Sequence, residues 1–137
     1  MTASPRLAAG LRATVRATVT AADTAIAAGS GDVPVLATPR LLALAEAASV
    51  AAVAPQLEPG QTSVGTAARL EHRRASPVGA ELEVEAELTE IDGPRLVFMF
   101  IARPASGADE VIGAGTIERV VVERDRFLHR ADVPVAP

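Results

Sequence analysis

Glu46 is the one carboxylate in "ATPRLLALAEAASVAAVAP", residues 37–55, a stretch that otherwise reads as a helix with almost no polar side. A carboxylate taken out of water needs a hydrogen bond or a cation, or it holds its proton to higher pH. That cost is accepted where a general base or a nucleophile is wanted. The plainer reading is a narrow polar strip on the helix, since Ser49 lies three residues on and on the same side, with Arg40 six residues back. His72 adds a second group. In "TAARLEHRR", Thr66, Ala68, Leu70 and His72 share one strand face, while Arg69, Glu71 and Arg73 share the other. An imidazole on the face that meets the helix could move protons near neutral pH; equally, it could be a core-edge histidine bonded to a backbone carbonyl.

Thr38 stands where a helix begins. It is expected to cap that helix, with Pro39 in the first helical position. Its hydroxyl could also lie where a substrate oxygen meets the positive end of the helix. Arg69, Arg73 and Arg74 could meet phosphates, although a solvated strand face accounts for at least two of them. His129 belongs to a polar tail and reads as incidental.

Other chemistries lack their residues. The chain has no cysteine, hence no thiol nucleophile and no disulfide framework. Without HExxH or a cluster of His and acidic residues at ligand spacing, no metal site is expected. No GxSxG elbow is present, and the glycines at 113 and 115 are not followed by a helix, so "GAG" is no dinucleotide fingerprint.

The elements that must position these groups follow from periodicity. "LRATVRATVT", residues 11–20, alternates and reads as a strand. Residues 21–34 are broken by Gly29, Gly31 and Pro34 and are ambiguous between a helical turn and a mobile flap. The helix from Thr38 runs to about Ala54 and stops before Pro55; being apolar nearly all round, it must be enclosed. Four strand candidates follow. In residues 80–88, Ala80, Leu82, Val84, Ala86 and Leu88 point one way and Glu81, Glu83, Glu85 and Glu87 the other. Asp92-Gly93 signals a hairpin into "LVFMFIA", which is apolar on both faces. The last strand is "VIGAGTIERVVVE", with Gly113 and Gly115 marking bends or close packing. Residues 1–10 read as a loose start, and the tail from Arg124 as an edge or a disordered extension. The expected class is α+β, an antiparallel sheet wrapped round one central helix, as in a hot-dog fold.

Composition sets the remaining bounds. At 137 residues a single domain is expected, 1–137, with an ordered core over about 11–123. The hydrophobic share is 49% but the aromatic share only 2%, so a core of small side chains gains by burying more surface against a partner. The apolar outer side of residues 96–102 points the same way, to a homodimer or higher homo-oligomer. With a formal charge of -4 and no basic stripe interleaved with aromatics, nucleic acid is not an expected partner. No run approaches the roughly 20 apolar residues of a membrane span, and a cytoplasmic protein is expected.

At this point the order of motifs becomes informative. A Thr precedes the helix, a Glu sits within it, and "APQLEPG", "SVGT", a His six residues beyond that Thr, and "GAGT" follow in turn. Over residues 34–123 the chain resembles the fluoroacetyl-CoA thioesterase family of hot-dog proteins. The resemblance implies hydrolysis of an acyl-CoA thioester at a dimer interface, with no cofactor beyond the CoA thioester as substrate. It further implies that Thr38, Glu46 and His72 are catalytic and that the Gly65 N–H is a donor near the thioester carbonyl. Glu46 would activate water or attack the carbonyl to give a mixed anhydride, and His72 would handle proton transfer. For such a substrate Arg73 and Arg74, read above as able to meet phosphates, are candidates for the CoA phosphates. Members selective for the fluorinated group carry aromatic residues in the flap, whereas here the first Phe in the chain is Phe98. A small or medium acyl group is expected instead. Three other readings remain: a noncatalytic hot-dog module that binds acyl-CoA, a structural oligomer that binds none and leaves Glu46 exposed to solvent, and a related dehydratase using the same carboxylate and imidazole.

Overall fold

The structure is a computed structural model and describes residues 5–135. Strand β1 (Arg12–Thr18) is followed by a 3-10 turn (Ala21–Asp23), a short helix α1 (Ala25–Ala28) and the long helix α2 (Thr38–Val53). After a second 3-10 turn (Ala54–Gln56) come β2 (Gln61–His72), β3 (Glu81–Asp92), β4 (Arg95–Pro104), β5 (Gly113–Glu123) and a terminal helix α3 (Arg124–Arg130). The strands form one antiparallel sheet in the order β1-β3-β4-β5-β2, so β1 and β2 are its edges.

One face of the sheet wraps α2. Leu82, Val84, Ala86 and Leu88 of β3, and Leu96, Phe98, Phe100 and Ala102 of β4, are all buried against Leu41, Leu44, Ala45, Ala48, Ala52 and Val53 of the helix. The alternation of β3 produces this, because the period of two sends every second residue inward. Alanines on α2 let the helix lie close, and β5 concedes room as well, since a Cβ on Gly113 would sit 2.8 Å from Leu41 Cδ2; Gly115 gives room to the neighbouring strand, its Cβ falling only 1.9 Å from the Arg69 carbonyl oxygen of β2. The Asp92-Gly93 turn joins β3 to β4, with Gly93 at φ 57° as such a turn requires.

Four sequence expectations need correction. Thr38 does not cap α2: Ala37 holds the cap position with no side-chain hydrogen bond, Thr38 is already helical, and its hydroxyl is used elsewhere. Residues 124–130 form α3, which packs against β5, rather than an edge or a disordered extension. The first half of β2 is longer than its alternation suggested, starting at Gln61, because Ser63, Val64 and Gly65 pair with β5 despite carrying no clear period. Finally, α2 is not enclosed all round. Ala43, Ala47, Val50 and Ala51 are exposed along one side, beside the open middle of β2, where residues 65–69 are exposed too. Of the expected loose start, residues 1–4 lie outside the described residues, and Leu7 is buried in the core.

Candidate functional site

The sequence-predicted residues fall into two clusters on the same helix. In the first, Thr38 Oγ1 and His72 Nδ1 are 2.8 Å apart. The first turn of α2 supplies the hydroxyl and the last residue of β2 supplies the ring, which the alternation through Ala68 and Leu70 turns inward. Burial pulls the His72 pKa below its ordinary value, with a backbone contact to Arg74 pulling the other way, so the neutral ring is favoured. Its Nε2 is buried and makes no hydrogen bond. A neutral imidazole beside a hydroxyl can accept its proton or orient it toward a third group.

The second cluster surrounds Glu46. Arg119 of β5 donates from Nε to Ser63 Oγ at 2.8 Å, from one terminal nitrogen to the Ser63 carbonyl at 2.9 Å, and from the other to Glu46 Oε2 at 3.3 Å. The guanidinium is buried, its side chain only 8% exposed, whereas the Glu46 side chain is 41% exposed. Burial lowers the Arg119 pKa from its ordinary value and the Glu46 carboxylate offsets that shift. Gly65 lies against the same carboxylate: a Cβ there would sit 2.5 Å from Glu46 Oε2, so only glycine lets the acid occupy this place without displacement. Ser49, expected to share the side of Glu46, instead donates its hydroxyl to the Glu46 carbonyl at 2.6 Å and is fully buried.

No hydrogen bond or ion pair joins Glu46 to His72 within the chain. Eight helical residues separate Thr38 from Glu46, about 12 Å at the rise of an α-helix, and seven strand residues separate Gly65 from His72, roughly 20 Å. Each cluster is thus a helix–strand contact, at opposite ends of the crossing between α2 and β2.

A cavity of about 320 Å³ opens over the first cluster, lined by Thr38, His72, Arg73, Arg74, Val33 and Val35 among others. Arg73 is held by Glu71 at 3.1 Å and Arg74 by Glu110 at 3.5 Å, each more than half exposed. Both can therefore turn toward a phosphate. Among the described residues no group of three or more His, Cys, Asp or Glu could hold a metal ion. His129 sits on α3, outside both clusters.

Arg119 is the residue that sequence reasoning overlooked. Its signal was present: Ile117, Arg119 and Val121 share the inward face of β5, and a lone arginine between two buried aliphatic residues demands a buried acceptor.

The sequence profile of the fluoroacetyl-CoA-specific thioesterases matches residues 19–125. The chain belongs to this family. A fluoroacetyl-CoA thioesterase from Streptantibioticus cattleyicolor is 44% identical over 93 residues, covering 68% of this chain and 65% of that protein. The match thus spans slightly less than two thirds of that thioesterase's own length. A solved structure of a fluoroacetyl-CoA thioesterase superposes with a TM-score of 0.83 at 33% identity, covering 92% of this chain and 96% of that one. A thioesterase of the family in complex with acetyl-CoA gives 0.84 at 32% identity over 92% and 97% of the two chains. A thioesterase superfamily member from Thermus thermophilus, at 22% identity, superposes at 0.85 over 93% of each chain and speaks to the fold alone. The five-stranded sheet around one helix is the hot-dog fold of the family, as the sequence indicated.

Proposed function

We propose that this family member hydrolyses a small or medium acyl-CoA thioester to the free acid and CoA. The observation that carries the reading is the Thr38–His72 pair set in the wall of a cavity that leads to Arg73 and Arg74. A thioester carbonyl beside the pair would leave the CoA phosphates to the two arginines. Water adds to the carbonyl, the C–S bond breaks, and the thiolate leaving group takes a proton; the acid product carries the water oxygen. Glu46 is the general base for that water in this reading, His72 returns the proton, and the Gly65 N–H stabilises the oxyanion, an interaction often worth several kcal/mol in acyl transfer. The acyl group is taken as unfluorinated because Val33, Val35 and Leu36 stand where an aromatic wall would be.

The active form in this proposal is a homodimer. The exposed side of α2 and the open middle of β2 are adjacent and unpaired in one chain, and an exposed strand edge is a template for pairing. An antiparallel β2–β2 contact about Thr66–Ala68 would carry the partner's Glu46 and the partner's Gly65 toward Thr38 and His72, closing the gap left within the single chain. A cytoplasmic location is proposed with it, CoA thioesters being substrates of that compartment; no helix among the described residues is long and apolar enough to cross a membrane.

Thiol release from a panel of acyl-CoAs tests the activity. Co-expressed Glu46→Ala and His72→Ala chains test the shared site: mixed dimers regain turnover that neither variant has alone. Failure to regain it, with both chains shown to associate, would reject the shared arrangement. The separation of the two clusters favours a second reading, a noncatalytic acyl-CoA-binding module, which predicts saturable binding with no thiol released from any member of the panel.

A further inference from the structure

The two arginines beside the cavity are held unequally. Arg73 donates to Glu71 through two nitrogens, Nε at 3.2 Å and a terminal nitrogen at 3.1 Å. Arg74 meets Glu110 through one nitrogen at 3.5 Å, longer than a good charge-assisted hydrogen bond. The backbone is what brings Glu110 there. The Ile112 carbonyl accepts from the Arg73 N–H at 2.8 Å and from the Arg74 N–H at 3.1 Å, while the Ile112 N–H donates to the Ala102 carbonyl at 2.8 Å. Glu110, two residues before that fixed and buried point, is thereby kept beside Arg74. Both side chains of this ion pair are more than half exposed, so it adds little to stability and parts easily.

Arg74 also stands at a junction. With Ala75 it forms the wall between the cavity over Thr38 and His72 and a neighbouring cavity of about 360 Å³, which Glu81, Glu110, Pro77 and Ile112 help to line. A polyanion arriving at the Arg74 guanidinium therefore meets the Glu110 carboxylate as well. Arg74 can take up a phosphate only by exchanging one anion for another. Asp109, the adjacent carboxylate on the same loop, pairs instead with Arg103 at 3.6 Å and lines neither cavity.

We propose that Glu110 is a specificity-determining residue, an internal competitor that occupies Arg74 and so sets how tightly the phosphates of an acyl-CoA are held. The inference rests on the acyl-CoA reading above and adds to it a residue outside both clusters. Loss of this carboxylate frees Arg74 and removes a repulsion, so the nucleotide end binds more tightly. A thioester without phosphates gains nothing from the change. Because the phosphates are remote from the reacting carbonyl, their hold is the same in the ground state and the transition state, and the effect falls on KM rather than on kcat. The CoA product carries the same phosphates, so Glu110 also hastens its release.

The test is calorimetric titration of the full chain with CoA at low salt, for wild type, Glu110→Gln, Asp109→Asn, Arg74→Gln and the Arg74→Gln/Glu110→Gln double variant. Glu110→Gln is expected to tighten CoA about two- to fivefold, the range that an exposed ion pair spans, and the gain should shrink as salt is raised. In the Arg74→Gln background the same substitution should give no gain. Asp109→Asn, which removes an equal charge from the same loop, should give none either. Pantetheine, which lacks the phosphates, should bind wild type and Glu110→Gln alike. Glu110 and Asp109 are exposed side chains, so circular dichroism should show their variants folded. Equal CoA affinities for wild type and Glu110→Gln would overturn the proposal, as would an equal gain with and without Arg74 or the same gain from Asp109→Asn; each of these leaves the thioesterase reading standing. A wild-type chain that neither binds CoA nor releases thiol from any acyl-CoA would end that reading and this inference with it.

Discussion

Two turns of one helix separate a neutral contact from a charged contact that is left open. Thr38 Oγ1 and His72 Nδ1 meet at 2.8 Å, a closed pair set in a cavity wall, with His72 Nε2 buried and unpartnered behind it. At Glu46 the cation is buried and the anion stays half in water, Arg119 being 8% exposed and Glu46 41%. The difference matters because burying a charge costs several kcal/mol unless hydrogen bonds repay it. Ser63 supplies two such bonds to Arg119 and thereby fixes the guanidinium. Glu46 gains direction from that fixed cation without losing its access to solvent. A carboxylate that is held yet accessible suits a base that must reach water. The imidazole, by contrast, is kept neutral by desolvation.

The largest effect is expected at the open contact. Glu46→Ala should lower kcat by about two to four orders of magnitude if the acid is the general base, while denaturant unfolding shifts by about 1–3 kcal/mol, because Arg119 stays buried without its anion and keeps only its two bonds to Ser63. Equal turnover by the variant and wild type would remove Glu46 from the chemistry. Gly65→Ala comes next. Its new Cβ meets the end of a flexible side chain, so the fold should tolerate it within about 1 kcal/mol, yet the carboxylate must swing away, and kcat should fall with KM nearly unchanged. Unaltered kcat would show that the place of Glu46 beside Gly65 is immaterial.

The closed contact offers a titration. His72 has its pKa lowered below 6.5 in the folded chain, so the folded state binds fewer protons there than the unfolded state. Stability from this group is therefore full above pH 6.5 and declines as pH falls through the lowered folded value. NMR of the two histidines, with His129→Gln to assign them, should give a midpoint for His72 below 6.5. A midpoint at or above that value would contradict the desolvated ring. The smallest effect concerns stability at Thr38. This threonine does not cap but bonds His72, so Thr38→Val should cost about 1 kcal/mol through the lost hydrogen bond while lowering turnover. The same cost measured again in a His72→Ala background, where that bond is already gone, would reinstate the helix-start role.

Much of this was legible in the chain, for reasons that differ by residue. The strict alternation from Ala80 to Leu88 settles which side of β3 is buried, and the same period turns His72 toward the helix, because a pleated strand leaves a side chain only two directions. The Asp92-Gly93 hairpin needs only local backbone preference. Thr38 misled because Thr-Pro before an apolar run is a strong local sign of a cap; a long-range bond to His72, thirty-four residues away, claimed the hydroxyl instead. Arg119 was readable from its place between Ile117 and Val121, whereas its acceptors were not, since Ser63 and Glu46 reach it only once β2 pairs with β5 and α2 lies across them.

The sequence by itself determined the periods, and with them the sheet's two faces, the central helix and the residue types available for chemistry. Those follow from forces that act within a few residues along the chain. Only the tertiary structure decided that Thr38 meets His72 while Glu46 meets Arg119 and Gly65, two clusters and not one. That outcome depends on the angle at which α2 crosses β2, an angle set by how alanines, Gly113 and the aliphatic layer of β3 and β4 pack together, and packing of that kind is a property of the whole core.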